Sequence, residues 1–389
     1  MQLVEQRLIE RGGPRYKRLD EVAFVSKGLW SAANCLVRQT FLIQHRQRSR
    51  GKSHRPVWVW MGLLLVLLSG CRMSNSSLSQ SGASPQSTGS GQTTAQPMGP
   101  GQRSAGCGQP TTVRGTTLVG TLVSGGVTRS YRLHLPPDYQ PDQPLPLVLN
   151  FHGHGSNGKQ QETYTGFSSL ADRERFLVAY PDGLLAPDGK TGWNAYGPHP
   201  TPVDDVHFTS DLLQTLEEHW CIDLRRIFAT GLSNGGGLTA LLACRLSSQI
   251  AAFAPVSGAF YPLPAGCHPQ RSVPILEIHG TGDFIVPYEG KPGLGLPPIR
   301  QWLEDWAKRD ACQQGPVVFL VQGEITGEEW TRCTTPGIVV HYRLTGGGHT
   351  WPGSPIPLPY YGKTIHTFNA TLAIWQFFAA HPLPASHET

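Results

Sequence analysis

The 389-residue sequence lacks internal repeats, a second long apolar run and any cysteine spacing typical of zinc ligands. The absence of repeats excludes a solenoid or a propeller. Because residues 56–70 form the only long apolar run, the rest of the sequence contains no candidate for a membrane-spanning helix. The spacing of the eight cysteines excludes a zinc-finger module. What is present is much glycine and proline, 45 and 33 residues, which suits a loop-rich globular chain or a disordered segment.

An excess of positive charge is also absent from most of the chain. The net charge is +5, but residues 1–55 carry twelve Lys and Arg against four Asp and Glu, which leaves −3 for the remainder. The positive total is therefore weak evidence for nucleic-acid binding, and we expect no nucleic-acid partner. The alternative, a nucleic-acid-binding protein, depends on the basic N-terminus alone.

The N-terminal third divides into three segments. Residues 56–71 contain an apolar run that follows a basic stretch and ends at Cys71. This order resembles a bacterial lipoprotein signal, in which the cysteine is lipidated. A short buried helix or an uncleaved anchor is the alternative. Residues 72–106 are rich in Ser, Gly and Gln and predict a disordered linker. Residues 1–55 resemble the start of transposon-encoded proteins, or form an ordinary basic extension. We expect an extracytoplasmic protein, secreted or anchored in the membrane through lipid on Cys71.

From residue 107 to about 385 the pattern predicts one catalytic domain of the α/β class. A hairpin is expected around Gly125 and Gly126, and short apolar runs then alternate with helical stretches. This alternation favours a mostly parallel sheet with helices on both faces. The predicted strands are 117–123, 127–135, 147–151, 176–180, 226–230, 252–256, 274–278 and 337–344. The predicted helices are 211–219, 236–247, 299–310 and 368–380.

A motif typical of a nucleophile elbow lies in Gly231–Gly235, with Ser233 at its centre. An apolar strand precedes it and a helical stretch follows, which is the context that the elbow of the α/β-hydrolase fold requires. The flanking glycines allow the tight turn, and the helix N-terminus favours negative charge at the serine. The alternative is a glycine-rich turn with a purely structural role. We predict that Ser233 is a catalytic nucleophile.

A serine nucleophile needs a base and an acid that orients the base. In this fold the acid and then the base follow the serine, each after a strand. Asp283 and His349 meet that order, because they come after the predicted strands 274–278 and 337–344. Taken singly, they could be a turn-capping aspartate and a surface histidine. We predict a Ser233–His349–Asp283 triad that needs no cofactor.

The oxyanion of acyl transfer needs two hydrogen-bond donors. The amide of Asn234 follows the nucleophile, and we expect the second donor to be the amide of His154, after an early strand. His152 and His154 are also two residues apart, but without a nearby thiolate or carboxylate they are weak evidence for a metal, and no metal is predicted.

Two pairs of residues leave alternatives open. Trp193 and Trp351 could form an aromatic wall for the substrate, or they could be buried in the core. Asp204 and Asp205 could be paired carboxylates, but aspartates before a predicted helix more often serve as caps.

Six cysteines remain in the predicted domain once Cys35 and Cys71 are set aside. An even number in an extracytoplasmic domain favours disulfides, with fifteen possible pairings. We expect Cys312–Cys333, Cys221–Cys244 and Cys107–Cys267.

Several segments together resemble the polyhydroxybutyrate depolymerase/feruloyl esterase group, also called carbohydrate esterase family 1. They are Phe151–Gly153, Val203–Val206, Thr230–Gly237, Ala252–Gly258, Ile278–Asp283 and Gly347–Pro352. Cys221–Asp223 and Leu242–Cys244 resemble the fungal feruloyl esterases in particular. The resemblance implies an α/β-hydrolase fold and the same triad. It also implies an ester substrate: a plant phenolic ester, an acetylated polysaccharide or a hydroxyalkanoate polymer. An acetylxylan esterase or a serine peptidase on the same fold is the alternative, and we expect a monomer.

Overall fold

The computed structural model describes residues 102–385. The basic leader, the signal segment with Cys71 and nearly all of the predicted linker lie outside the described residues. Within this range, twelve strands follow one another along the chain. They are β1 Thr116–Ser124, β2 Val127–Leu135, β3 Leu145–Phe151, β4 Leu177–Pro181, β5 Leu184–Leu185, β6 Thr191–Gly192, β7 Ile222–Leu232, β8 Ala252–Val256, β9 Pro274–Gly280, β10 Gln314–Gln322, β11 Ile325–Thr331 and β12 Ile338–Leu344.

Six α-helices of the same range connect these strands or follow them. They are α1 Gly158–Thr165, α2 Phe167–Glu174, α3 Asp205–His219, α4 Asn234–Arg245, α5 Ile299–Arg309 and α6 Ala370–Ala380. All four predicted helices are present, three of them with ends within two residues of the prediction, but α3 begins six residues earlier than predicted, and α1 and α2 were not predicted. Both are only eight residues long, and α1 has little apolar periodicity to reveal it. No helix within residues 102–385 is both long and apolar enough to cross a bilayer.

Ten strands form one sheet in the order β1-β2-β4-β3-β7-β8-β9-β12-β11-β10. The six central strands, from β4 to β12, run parallel to one another. Every residue of β3, β8 and β9 is buried, which is expected of parallel strands covered on both faces. The predicted α/β-hydrolase architecture, a mostly parallel sheet with helices on both faces, is confirmed.

The core has two parts, one on each face of the sheet. In β3, Leu147 and Leu149 point into the part covered by α3, α4 and α5, whereas Val148 points into the part covered by α1, α2 and α6. The alternation follows from the two-residue period of a strand. Both faces of the sheet are therefore mostly apolar, and the few charged side chains buried within strands, such as Glu277 of β9 and Arg129 of β2, have oppositely charged or hydrogen-bonding partners.

Antiparallel hairpins extend the sheet on both sides. The predicted hairpin of β1 and β2 is confirmed, with Ser124 opposite Val127. The hairpin of β10 and β11 at the other edge was not predicted. The sequence pattern did not indicate these two strands, because β11 contains a glycine and two glutamates and because β10 is an exposed edge strand rather than a buried one.

The part of the chain that the structure describes contains three disulfides, and only one of the predicted pairs is correct. Cys312–Cys333 is confirmed, but Cys107 pairs with Cys221, and Cys244 pairs with Cys267. The two errors have one cause, because chain order does not show which cysteines meet in space. The segment around Cys107 lies along the start of β7, where the amide of Ser104 donates to the carbonyl of Ile222 at 3.0 Å. That alignment places Cys107 beside Cys221.

Candidate active site

Ser233 occupies the sharp turn between β7 and α4. Its backbone has φ 59° and ψ −118°, a left-handed conformation that a non-glycine residue seldom adopts. A Cβ on Gly231 would lie 2.6 Å from the backbone of Gly235, and a Cβ on Gly235 would overlap the carbonyl oxygens of Phe151 and His152. The two glycines therefore let the turn pass close to the end of β3. The strand, turn and helix that the sequence predicts are all present.

Asp283 and His349 lie together at the carboxyl ends of adjacent parallel strands. Asp283 follows β9 and accepts hydrogen bonds at Oδ1 from the amides of Ile285 and Val286, at 3.0 and 2.8 Å. Its Oδ2 lies 2.8 Å from Nδ1 of His349, which follows β12. Because a carboxylate can only accept, Nδ1 carries the proton and Nε2 of His349 is left to act as a base.

The carboxyl group of Asp283 is ionised. Burial works against its charge, but the contact with His279 and the hydrogen bond from His349 outweigh burial and hold the pKa of Asp283 well below its usual range. A fixed negative charge behind His349 can stabilise the imidazolium that forms during acyl transfer.

Ser233 and His349 line the same cleft, which has a volume of about 690 Å³. Within residues 102–385, no hydrogen bond joins Ser233 Oγ to the imidazole or to any other side chain. Such contacts often tighten only when substrate binds. The three residues predicted from chain order thus meet at one place.

The two residues predicted to supply the oxyanion amides, Asn234 and His154, belong to segments next to the serine. Asn234 is the first residue of α4, and the loop of Gly153 and His154 approaches Ser233 so closely that a Cβ on Gly153 would touch the serine Cβ at 3.4 Å. Within the described range, neither the Asn234 amide nor the His154 amide donates to another protein group. Both donors are therefore available to a ligand.

The side chain of Asn234 has a further role that sequence reasoning missed. Its Oδ1 accepts from the amide of Trp193 at 2.7 Å, and its Nδ2 donates to the carbonyl of Trp193 at 3.1 Å. This two-point contact ties the elbow to the loop after β6. An asparagine directly after the nucleophile is the signal that could have suggested it.

His152 and His154 do not form a metal pair. The amide of Gly183 donates to Nε2 of His152 at 2.9 Å, so Nδ1 carries the proton and donates to the carbonyl of Gly153. Burial, the main cause, lowers the pKa of His152 to about 4 and keeps the ring neutral. Nε2 of His154 instead contacts Asp188 at 2.8 Å. Within residues 102–385 no cluster of three or more His, Cys, Asp or Glu side chains could hold a metal ion.

The predicted aromatic wall of Trp193 and Trp351 requires correction. Both side chains are buried, at 1% and 0% exposure, and neither lines the cleft. Each indole N–H is bound in the interior, to the carbonyl of His152 and to the hydroxyl of Thr371, respectively. Both tryptophans are core residues, because a buried indole needs an apolar pocket and one acceptor.

The cleft instead combines a polar segment with an apolar one. Residues 154–163 contribute mostly polar side chains, among them Asn157 and Gln160. Residues 356–361 contribute Ile356, Leu358 and Tyr361, and the Tyr361 ring lies 6.2 Å from that of His349. Sequence reasoning missed this lining because it comes from a loop without a periodic pattern.

The two aspartates before α3 have different roles. Asp204 caps the helix and accepts from the amides of Val206 and His207, as predicted. Asp205 is not a cap. It is buried and pairs with Arg129 at 2.8 Å, so the prediction of two caps was wrong for this residue. A buried carboxylate needs such a partner, and Arg129 on β2 lies far away in the sequence.

Comparison with known proteins gives a family model and several relatives. The model described as "Esterase PHB depolymerase" matches residues 129–267. Feruloyl esterase D of Neurospora crassa is 30% identical over 261 residues, which are 63% of this chain and 82% of that protein. Feruloyl esterase B of Piromyces equi is 32% identical over 232 residues, 57% of this chain but only 42% of that longer protein.

The same comparison extends to an enzyme of two activities and to a solved structure. A bifunctional acetylxylan esterase/xylanase of Neocallimastix patriciarum is 29% identical over 226 residues, 58% of this chain and 31% of that protein. The structure of an acetyl xylan esterase from Aspergillus awamori has 14% identity and a TM-score of 0.47, over 67% of this chain and 99% of that one.

Proposed function

The chain belongs to the esterase family of polyhydroxybutyrate depolymerases and feruloyl esterases and is a carboxylic ester hydrolase, and we propose that it works through a Ser233–His349–Asp283 triad. One observation carries the proposal: Ser233 and His349 line one cleft, and Asp283 lies behind the imidazole at 2.8 Å. The strained backbone at Ser233 supports it, because such strain is typical of functional turns.

The proposed reaction has two steps. Nε2 of His349 takes the proton of Ser233 Oγ, which attacks the ester carbonyl, and the Asn234 and His154 amides hold the oxyanion. The alcohol then leaves with the proton from His349. A water molecule, deprotonated by the same imidazole, hydrolyses the acyl-enzyme and restores the serine.

We further propose that the substrate is an ester of a phenolic acid with a hydroxyl-rich alcohol such as a sugar. The apolar lining from Ile356, Leu358 and Tyr361 suits an aromatic acyl group. The polar segment 154–163 offers the hydrogen-bonding groups that sugar hydroxyls need. Hydroxybutyrate oligomers and acetyl esters are competing substrates, because the matching family model and one of the relatives carry those names.

The test compares initial rates on methyl ferulate, acetylated xylan, hydroxybutyrate oligomers and p-nitrophenyl acetate. Ser233→Ala is expected to lose at least about 10⁴-fold in kcat on every ester that the wild type hydrolyses, while its circular dichroism stays unchanged. Ser169→Ala, on an exposed position of α2, is the matched control and should retain full activity. Retained turnover in Ser233→Ala would assign the nucleophile elsewhere, and preference for a p-nitroanilide over these esters would favour a peptidase.

We also propose that the enzyme works outside the cytoplasm, tethered by lipid on Cys71. Three disulfides support an oxidising compartment. Mass spectrometry of the native protein should find an N-terminal, lipidated Cys71. An intact Met1 would contradict the anchor but not the esterase activity.

A further inference from the structure

A chain of buried polar side chains continues from the far side of Asp283 into the sheet. It contains Glu277 and His279 of β9, His341 of β12 and Tyr288 from the loop after β9. The side chains of Glu277, His279 and His341 are fully buried. Buried polar groups are expensive unless they are paired, and nothing in the two-step reaction uses these four. Their arrangement therefore calls for another explanation.

His279 faces three acceptors. Its Nδ1 lies 2.8 Å from Glu277 Oε1, and its Nε2 donates to the carbonyl of Val286 at 2.9 Å while lying 3.4 Å from Oδ2 of Asp283. A carbonyl can only accept, so Nε2 carries a proton. Burial favours the neutral ring, but the Glu277 charge and the Asp283 contact outweigh it and raise the pKa of His279 to about 10. Both ring nitrogens of His279 thus face acceptors, which is the arrangement that suits an imidazolium.

Glu277 is held from both sides. Its Oε2 lies 2.8 Å from Nδ1 of His341, and Nε2 of His341 lies 2.9 Å from the hydroxyl of Tyr288. Burial alone would raise the pKa of Glu277, but the charge of His279 and the contacts of both histidines lower it. Along these buried side chains, the charge is thus negative at Asp283, positive at His279 and negative at Glu277.

The other ionisable groups near these side chains act on Tyr288, whereas the charges that act on His279 are Glu277 and Asp283. The Arg300–Glu328 ion pair, at 3.1 Å, joins α5 to β11, and together with Arg343 of β12 it influences Tyr288 at the end of the chain. His349 contacts the same oxygen of Asp283, with Nδ1 2.8 Å from Oδ2. His279 is thus the cation that shares Oδ2 of Asp283 with His349.

We propose that His279 is a positioning residue: it holds the carboxylate of Asp283 toward His349 and, as a permanent cation, extends esterase activity to lower pH. Asp283 stabilises a protonated His349, and a second cation at the same oxygen weakens that stabilisation. The inference rests on the proposed triad.

The experiment measures kcat/KM against pH for the full-length protein with p-nitrophenyl acetate. The acidic limb of this profile is the range in which kcat/KM falls as the pH falls, and His279→Gln should move it upward by about one pH unit. The shift lowers kcat/KM about tenfold at pH values on the limb and much less at higher pH. Because that variant leaves Glu277 without its cation, Glu277→Gln/His279→Gln is made as well, and it should move the limb in the same direction. His341→Gln is the matched control: it is equally buried and contacts Glu277 but not Asp283, so its limb should stay in place.

Three results would overturn the inference. The first is an unmoved limb in a folded His279→Gln or in the double variant. The second is an equal shift in His341→Gln, which would make the effect a general consequence of damage to the core. The third is a wild-type ¹H–¹⁵N spectrum in which His279 carries a proton on only one ring nitrogen between about pH 6 and pH 9. Absence of any hydrolysis by the wild type would instead overturn the proposed function, and the spectrum would still decide the charge of His279.

Discussion

The centre of the sheet and its flanks differ in both burial and chemistry. Every residue of β3, β8 and β9 is buried, whereas β10 at one edge is exposed along most of its length. The proposed catalytic groups all follow central strands: His154 after β3, Ser233 after β7, Asp283 after β9 and His349 after β12. Parallel neighbours place their carboxyl ends at one edge, and burial on both faces fixes them there. The antiparallel flanks extend the sheet without contributing to the site.

If this contrast is correct, changes at the centre should affect hydrolysis and changes at the flanks should affect only stability.

The largest effect is expected from Gly235→Ala. The added Cβ would overlap the carbonyl oxygens of Phe151 and His152, so the elbow would have to move away from β3 and from the His154 amide. We expect a loss of at least about 100-fold in kcat, since one misplaced oxyanion donor costs that much. Steady-state kinetics on the preferred ester would measure it. Gly293→Ala is the control, because a Cβ there meets nothing within 4 Å.

Removal of the Cys312–Cys333 disulfide should reduce stability without affecting kcat. This disulfide ties the end of α5 to the end of β11, on the flank, and closes a loop with a sequence separation of 21. Loss of that constraint on the unfolded chain should cost about 3 kcal/mol. Calorimetry of the double Cys→Ser variant would measure the lower melting temperature. A fall in kcat of the folded variant at 25 °C would contradict the separation of flank and centre.

Asp310→Asn should stabilise the protein at high pH. Asp310 lies at the end of α5, its Oδ1 accepts from the amide of Val273, and burial raises its pKa to about 7. A carboxyl whose pKa is raised on folding favours the native state at low pH, and this contribution is lost as pH rises from about 4 through 7. The asparagine avoids that loss, so the variant should match the wild type near pH 4 and gain on the order of 4 kcal/mol at pH 8.

Urea denaturation at the two pH values would measure this difference. Asp305→Asn, a half-exposed position on the same helix, should show no such trend. If the difference in free energy of unfolding between Asp310→Asn and the wild type does not change with pH, ionisation of the Asp310 carboxyl costs the native state little free energy.

The smallest effect is expected from Val318→Thr on β10. Val318 is 52% exposed, so replacing one methyl group by a hydroxyl should change the free energy of unfolding by less than about 0.5 kcal/mol and leave kcat unchanged. Val148→Thr on β3, which is fully buried, is the matched central variant and should cost several times more. Equal costs at the two positions would remove the distinction between flank and centre.

Predictions from sequence succeeded where the signal was local. The strand, tight turn and helix around Ser233 follow from neighbouring residues, and so do the cap at Asp204 and the buried strands of the centre. The hairpin of β10 and β11 and the short helices α1 and α2 lack a strong apolar period, and they were missed.

The rest depended on partners distant in the chain. The pairing of Cys107 with Cys221, the ion pair of Asp205 with Arg129 and the burial of Trp351 each require knowing which segments meet. His279 illustrates the point best. Its position two residues after Glu277 and four before Asp283 is visible in the sequence, but the short contacts on both sides of its ring are not.

By itself, the sequence therefore determined the α/β architecture and the order of the proposed triad, because short-range patterns of burial and backbone geometry specify these. Its motifs also indicated the family, through their resemblance to known members. Only the tertiary structure decided the disulfide partners, the lining of the cleft and the buried charges behind Asp283. The physical reason is that a side chain's partner and its ionisation are properties of its three-dimensional surroundings, which packing between distant segments creates.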